Sequence, residues 1–195
     1  GIINSGPQAV KLFRELVEMT GFPCTLTLMG LGAFPAADKR YLGLVGMHGT
    51  YEANLAMHDC DVMINVGARF DDRVTGRLDA FCPHARKIHI DIDPSSIHKT
   101  VRVDVPIVGD CGRVLNALLA LPELPGFAAG RLAPWWQRIG RWREARCLDF
   151  ATREDQIMPQ QLMTALQSRL DGRDAIVSTD VGQHQMWAAQ HLRFE

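Results

Sequence analysis

Apolar residues recur at three- and four-residue spacing over residues 7–20, where Val10, Phe13, Leu16 and Val17 share one face and predict a helix. Ser5 is placed to cap it, Pro7 suits its first turn, and Gly21 suits its end. Residues 24–28 then read as a strand, followed by the glycine-bearing loop 29–33, and residues 51–58 as a short helix. The run 61–67 is continuously apolar, the signature of a strand buried on both faces. Residues 87–93 predict another strand, closed by Pro94, and residues 105–108 a shorter one. Asp110 is expected to cap a helix that carries Val114, Leu115, Leu118 and Leu119.

Strands and helices alternating at this short spacing predict an α/β fold with a parallel sheet flanked by helices, Rossmann-like in outline. Ligands of such sheets bind outside the carboxyl ends of the strands. The loops after Leu28, Val66 and Asp91 are therefore where chemistry is expected. The Pro- and Gly-dense stretch 121–134 reads as a connector. Residues 135–146 follow as a helix whose Trp135, Trp136, Ile139 and Trp142 are spaced for packing. Residues 159–170 predict a helix, 175–179 a strand, and 180–184 the turn into a last helix. The expected organisation is a first domain over 1–121, a linker with its Trp-rich helix over 122–158, and the first elements of a second α/β domain over 159–195.

A hydrophobic share of 47% is ample for a packed core, and a net charge of -1 gives no electrostatic reason to expect nucleic acid or an acidic membrane as partner. No apolar run approaches the ~20 residues that span a bilayer. The opening residues have neither a basic nor an apolar leader region, and both ends read as cut from a longer chain. The 5 cysteines are odd in number and lack a C-x-x-C spacing, so they read as buried small hydrophobes in a reducing cytoplasm.

Gly67-Ala-Arg-Phe-Asp-Asp-Arg-Val-Thr-Gly76 is the sharpest chemical signal. Two arginines flank two aspartates directly after a strand, and guanidinium groups grip phosphate or carboxylate oxygens bidentately. The alternative is an ion-pair network without a ligand; the position at the ligand-binding end of a sheet favours a binding role. Gly43-Leu-Val-Gly-Met-His-Gly49 lets backbone approach a ligand closely, with Thr50 opening a helix, and it reads equally as a surface turn. His48 is either a donor to a ligand or a structural residue. Gly30 and Gly32 hint at a dinucleotide loop, but the third glycine of that fingerprint is missing. Asp91 and Asp93 fall on one side of a strand, where carboxylates receive ribose hydroxyls or, less suitably, Mg²⁺. Asp110 repeats that logic or is only a cap. Asp180-Val-Gly-Gln-His184 sits where a helix N-terminus could hold a diphosphate, or where Asp180 merely caps a turn.

Together, Thr27-Leu-Met-Gly-Leu-Gly32, Gly46-Met-His-Gly-Thr50, the arginine–aspartate decapeptide, His89-Ile-Asp-Ile-Asp-Pro94 and Asp180-Val-Gly-Gln-His-Gln-Met-Trp-Ala-Ala-Gln190 resemble the large catalytic subunit of the acetohydroxyacid (acetolactate) synthases. The motifs occur in that family's order and cover nearly the whole chain. The resemblance implies a central FAD-binding domain followed by the start of a thiamine-diphosphate domain. FAD contacts would fall on Thr27, Leu28, Met29, Gly46, Met47, His48, Gly67, Arg69, Asp71, Arg73, Val74, Asp91, Ile92, Gly109 and Asp110. Arg73, with Met47 nearby, would recognise the substrate carboxylate; these positions and Asp72 lie where herbicidal inhibitors bind in the family. Val181, Gly182, Gln183 and His184 would contact thiamine diphosphate. The Mg²⁺ ligands and the glutamate that activates thiamine would lie outside this chain, so no catalytic residue is expected in it, and by itself it is expected to be inactive. The implied reaction condenses pyruvate with pyruvate or 2-ketobutyrate, with loss of CO₂, in branched-chain amino-acid (isoleucine, valine, leucine) biosynthesis. A homodimer or homotetramer with a small regulatory subunit, in the cytoplasm, is implied as well. The stretch after Gln190, His191-Leu-Arg-Phe194, departs from the aromatics of many members and leaves the isoform open. Two other readings are a flavin-redox thiamine enzyme of the pyruvate oxidase type and a non-catalytic nucleotide-binding module. The run from Asp180 to Gln190 speaks against the second, and the broken glycine fingerprint against an NAD-dependent dehydrogenase.

Overall fold

The computed structural model describes residues 2–124 and 129–195. Helix α1 (Pro7–Thr20) begins with Pro7 in its first turn and ends where Gly21, at φ 67°, donates its N–H to the Val17 carbonyl at 2.9 Å. Its cap is Gly6 rather than Ser5: the chain enters the helix at φ 89°, a conformation that favours glycine, and no side chain bonds the first turn. The buried face is Ala9, Leu12, Leu16 and Val17, with Phe13 packed beside it.

Two parallel sheets follow. Strands β1 (Cys24–Leu26) and β2 (Tyr41–Leu44) form one. Strands β3 (Val62–Val66), β4 (Arg86–Asp91) and β5 (Val105–Val108) form the other, in the order β3-β4-β5. Register runs from Val62 opposite Arg86 to Val66 opposite Ile90, and from Ile88 opposite Val105 to Asp91 opposite Val108. The expected double burial of 61–67 does not hold. β3 lies at the edge of its sheet and is only half-buried, with Val62 exposed, while the central strand β4 carries the wholly buried His89 and Ile90. β1 is shorter than expected because Leu28–Gly30 curls into a 3-10 turn.

Helices cover both faces. α1 and α4 (Cys111–Leu119) meet Leu26, Phe34 and Ile90 in the main core. On the other side Phe70, Phe81, Cys82, Ala85, Val101 and Val103 form a second cluster. A third joins Leu42, α2 (Tyr51–Asp59) and α5 (Ala133–Arg143) around the fully buried Ile139, with Trp135, Trp136 and Trp142 against it. Arg138 pairs with Asp59 and lies over the rings of Trp135 and Trp142, while Trp136 Nε1 donates to the Gly21 carbonyl at 3.1 Å. The tryptophans are thus a packing face. Of the connector 121–134, residues 125–128 lie outside the described residues. All five cysteines are free. Burial pushes the thiols of Cys24 and Cys82 up to about 12, which suits inert core residues, but Cys147 is exposed, against the expectation of burial.

Helices α6 (Pro159–Leu170) and α7 (Gln183–His191) pack on each other. The strand expected at 175–179 is absent: these residues form no regular element, and Ile176 is 98% exposed. Among the described residues no strand lies beside them, and a strand's backbone groups need such a partner.

Candidate functional site at the carboxyl ends of the strands

Each strand ends in a segment that the sequence singled out, although β2 itself was unanticipated. It takes in Gly43, the first of three glycines in a stretch that reads equally as a ligand-binding segment or a surface turn. Gly43, at φ 101°, is required there because a Cβ would stand 2.5 Å from Thr50 Cγ2. Thr50 caps α2 by accepting the Ala53 N–H at 3.2 Å and donates to the Leu42 carbonyl.

The loop after β2 and the loop after β3 are locked together. Met47 N–H donates to the Arg73 carbonyl at 2.8 Å. A Cβ on Gly46 would lie 2.5 Å from that same oxygen, so only glycine permits the approach. Asn54, inside α2, brackets Gly46 by accepting its N–H at 2.8 Å and donating to its carbonyl at 2.9 Å. Asn65, inside β3, does the same for Ala68, at 3.2 and 2.8 Å. Neither asparagine was singled out from sequence; the available signal was an amide within a helix and a strand, where asparagine has low propensity.

In the decapeptide, Gly67 (φ 67°) turns the chain and donates to the Ile90 carbonyl at 2.7 Å. Asp71 caps the single-turn helix α3 (Asp72–Thr75), accepting the Arg73 N–H at 3.1 Å, and pairs with Arg69 at 3.2 Å. That backbone N–H, followed by the Asp72 side chain and the arginine charges, holds the Asp71 carboxyl below its ordinary range. Arg69 and Arg73 are exposed, and Arg73 forms no ion pair among the described residues. Between Arg69 and Asp71 sits Phe70 at φ 53°, a left-handed conformation that costs a bulky residue on the order of 1–3 kcal/mol.

At the end of β4, Asp91 is buried and accepts the Asp93 N–H at 2.9 Å. Asp93 lies past the strand end and is exposed; it caps the 3-10 turn Pro94–Ser96, and Ser95 holds its carboxyl below the ordinary range. Asp91 and Asp93 therefore do not form one carboxylate pair. Beyond β5, Gly109 leads to Asp110, which accepts the Arg113 N–H at 3.0 Å as the cap of α4. Two hollows open along this rim. One, of about 790 Å³, is lined by Ile92, Ile107, Gly109, Asp110, Arg113 and Val114. The other, of about 460 Å³, includes Gly46, Met47, Asp72, Arg73, Val74 and Thr75. Large apolar side chains stand open to water at four strand ends: Met29 is 85% exposed, Met47 63%, Ile92 69% and Val108 56%. Thr27 and Leu28 are half-buried, and His48 is exposed.

This combination of open apolar side chains, arginines and close-approach glycines along one rim accompanies a specific family match. Residues 1–118 match the family model described as "Thiamine pyrophosphate enzyme, central domain". The chain belongs to the thiamine pyrophosphate enzymes. Among similar proteins, the acetolactate synthase isozyme 3 large subunit of Escherichia coli is 49% identical over 100% of this chain and 34% of its own length. The acetolactate synthase large subunit of Haemophilus influenzae is 47% identical over 99% of the chain and 34% of its own. That of Mycobacterium tuberculosis is 42% identical over 100% and 31%. The chain thus spans about a third of the length of these relatives.

Within this thiamine pyrophosphate enzyme chain, the segment expected to meet thiamine diphosphate is the turn that leads into α7. Val181, Gly182, Gln183 and His184 are exposed, and Gly182 precedes α7 without a side-chain cap. A Cβ on Gly182 would meet the His184 ring at 2.9 Å. α7 is nevertheless tied to the rim: Gln190 Nε2 donates to the His48 carbonyl at 2.9 Å. Among the described residues no group of three or more His, Cys, Asp or Glu side chains is placed to hold a metal ion, and no helix is long and apolar enough to cross a membrane.

Proposed function

We propose that the chain is the FAD-binding central part, with the start of the thiamine-diphosphate part, of an acetolactate synthase large subunit. The supporting observation is the rim itself. A flat apolar ligand with an anionic linker needs exposed apolar contacts and a cationic loop. Met29, Met47, Ile92 and Val108 offer the first, and Arg69 and Arg73 the second. The residues present fit an FAD, with Thr27, Leu28, Met29, Gly46, Met47, His48, Gly67, Arg69, Asp71, Arg73, Val74, Asp91, Ile92, Gly109 and Asp110 as its surroundings. Arg73, exposed beside Met47 and lacking an ion-pair partner among the described residues, is assigned to the substrate carboxylate.

Thiamine diphosphate supplies the decarboxylation and carbon–carbon bond chemistry when bound. The role of this chain's residues is to orient the flavin, to receive the ketoacid carboxylate at Arg73, and to offer the Val181–His184 turn to the thiamine diphosphate. The Mg²⁺ ligands are assigned to sequence outside this chain. The whole protein would join two 2-ketoacids in branched-chain amino-acid biosynthesis, in the cytoplasm, as a homo-oligomer with a small regulatory subunit.

The test is made on the full-length protein. Purified with FAD, thiamine diphosphate and Mg²⁺, it should form acetolactate from pyruvate, and replacing FAD by a redox-incompetent analogue should leave turnover intact. Loss of activity with the analogue would favour the pyruvate-oxidase type instead. Arg73→Ala should raise the ketoacid KM about 10- to 100-fold, since a hydrogen-bonded charge is worth about 1.5–3 kcal/mol. Its thermal midpoint should stay unchanged, because Arg73 is exposed and holds no ion pair among the described residues.

A further inference from the structure

His89 lies at the centre of β4, wholly buried, with Asn65 as its register partner on β3 and Pro106 on β5. Its Nε2 is 2.9 Å from the Ala68 carbonyl. A carbonyl only accepts, so Nε2 carries a proton and donates it to that oxygen. The same carbonyl takes the Asn65 amide at 2.8 Å, so two side chains from two adjacent strands converge on one backbone oxygen. The residue after it is Arg69. The next, Phe70, stands edge-on to the His89 ring, with centroids 4.8 Å apart, and edge-on to Phe81 at 5.8 Å. A left-handed phenylalanine persists only where its surroundings hold it, and these two rings do so.

From this geometry we infer that His89 is a positioning residue. Through its Nε2–H to Ala68 and its ring against Phe70, it fixes the turn that aims Arg69, Asp71 and Arg73 at the rim. The inference rests on the proposed binding of FAD and ketoacid there. It makes the buried imidazole part of the binding apparatus, although it touches no ligand.

Neutrality is built in. Burial holds the imidazole below the ordinary histidine range. The titratable groups facing it are Asp91, whose Oδ2 is 3.8 Å from Nε2 and favours the charged imidazole, and His98, which disfavours it; burial outweighs both. His89 Nδ1 is buried without a partner, so a proton added there would have no acceptor. The sign follows: above about pH 6.5 the group is neutral folded and unfolded. Below that the unfolded chain takes up a proton more readily than the folded chain, so it is folding stability, rather than the Nε2–H bond itself, that falls in acid.

The test is FAD affinity of the full-length protein by flavin fluorescence, for wild type, His89→Phe and His89→Gln. Phenylalanine keeps a ring but removes the donor; glutamine places an amide N–H near Nε2. Loss of one hydrogen bond should weaken FAD binding about fivefold to tenfold in His89→Phe, with substantial recovery in His89→Gln. Equal affinity of wild type and His89→Phe, or equal weakening in both variants, overturns the inference. A wild type that binds no FAD at any pH overturns the proposed function instead. Should His89→Phe fail to fold, Asn65→Ala removes the other donor to Ala68: weakened FAD binding supports the clamp, and unchanged binding overturns it.

Discussion

At the scale of single residues, the rim depends on backbone approaching backbone. Gly46 at φ 103° lets the Met47 N–H reach the Arg73 carbonyl, and a methyl group at Gly46 would sit 2.5 Å from that oxygen. Gly46→Ala combines a left-handed alanine with a backbone clash, so it should cost about 1–3 kcal/mol. The denaturant midpoint should fall accordingly, and FAD affinity with it, because the loops carrying Met47 and Arg73 would separate. An unchanged midpoint would mean that the two loops are not joined in solution. The glycines at 43, 46 and 49 were visible in the sequence as a cluster, but their purposes were not. Gly43 clears the Thr50 side chain within a strand, and Gly46 meets a segment 27 residues away. A glycine declares what is missing from its own side chain, never which neighbour needs the space.

At the scale of elements, α5 shows how a helix from the supposed linker becomes part of the first domain. Ile139 is fully buried between Leu42, Ala53 and Ala56, framed by three tryptophans, and Arg138 and Arg143 bond to α2 and to the segment ahead of β2. Ile139→Ala should cost about 2–5 kcal/mol in a denaturation experiment read by tryptophan fluorescence. Ile157→Ala, at an 84% exposed position, should stay within about 0.5 kcal/mol. The helical spacing of the tryptophans announced a packing face, and that reading holds. That the face packs on α2, 80 residues earlier in the chain, was not legible, because periodicity states which side is apolar and not what covers it. The strand at 175–179 fails in the complementary way. Its β-branched composition is sound, yet composition cannot supply the neighbouring strand whose backbone it must bond.

At the scale of the whole molecule, the chain carries a well-packed central domain and, beyond it, α6, α7 and the segment between them with apolar side chains open to water, including Leu162, Ile176 and Val181. Relatives about three times its length place such a segment inside a larger protein. Amide exchange should therefore find residues 174–180 unprotected in the 195-residue chain and protected in the full-length protein. The 195-residue chain by itself should give no thiamine-dependent turnover; measurable acetolactate from it would contradict the assignment of the catalytic groups to other sequence. By itself the sequence determined the alternation of strands and helices, the caps at Thr50 and Asp110, and the clustering of chemistry after the strands. All of these follow from local spacing and from the conformational limits of single residues. Only the tertiary structure decided that β3 is an edge strand, that Asp91 and Asp93 part company, and that His89, Asn65 and Phe70 converge behind Arg69. Those facts depend on which strands lie side by side and how far apart their atoms come, and no one-dimensional pattern records a distance between residues remote in the chain.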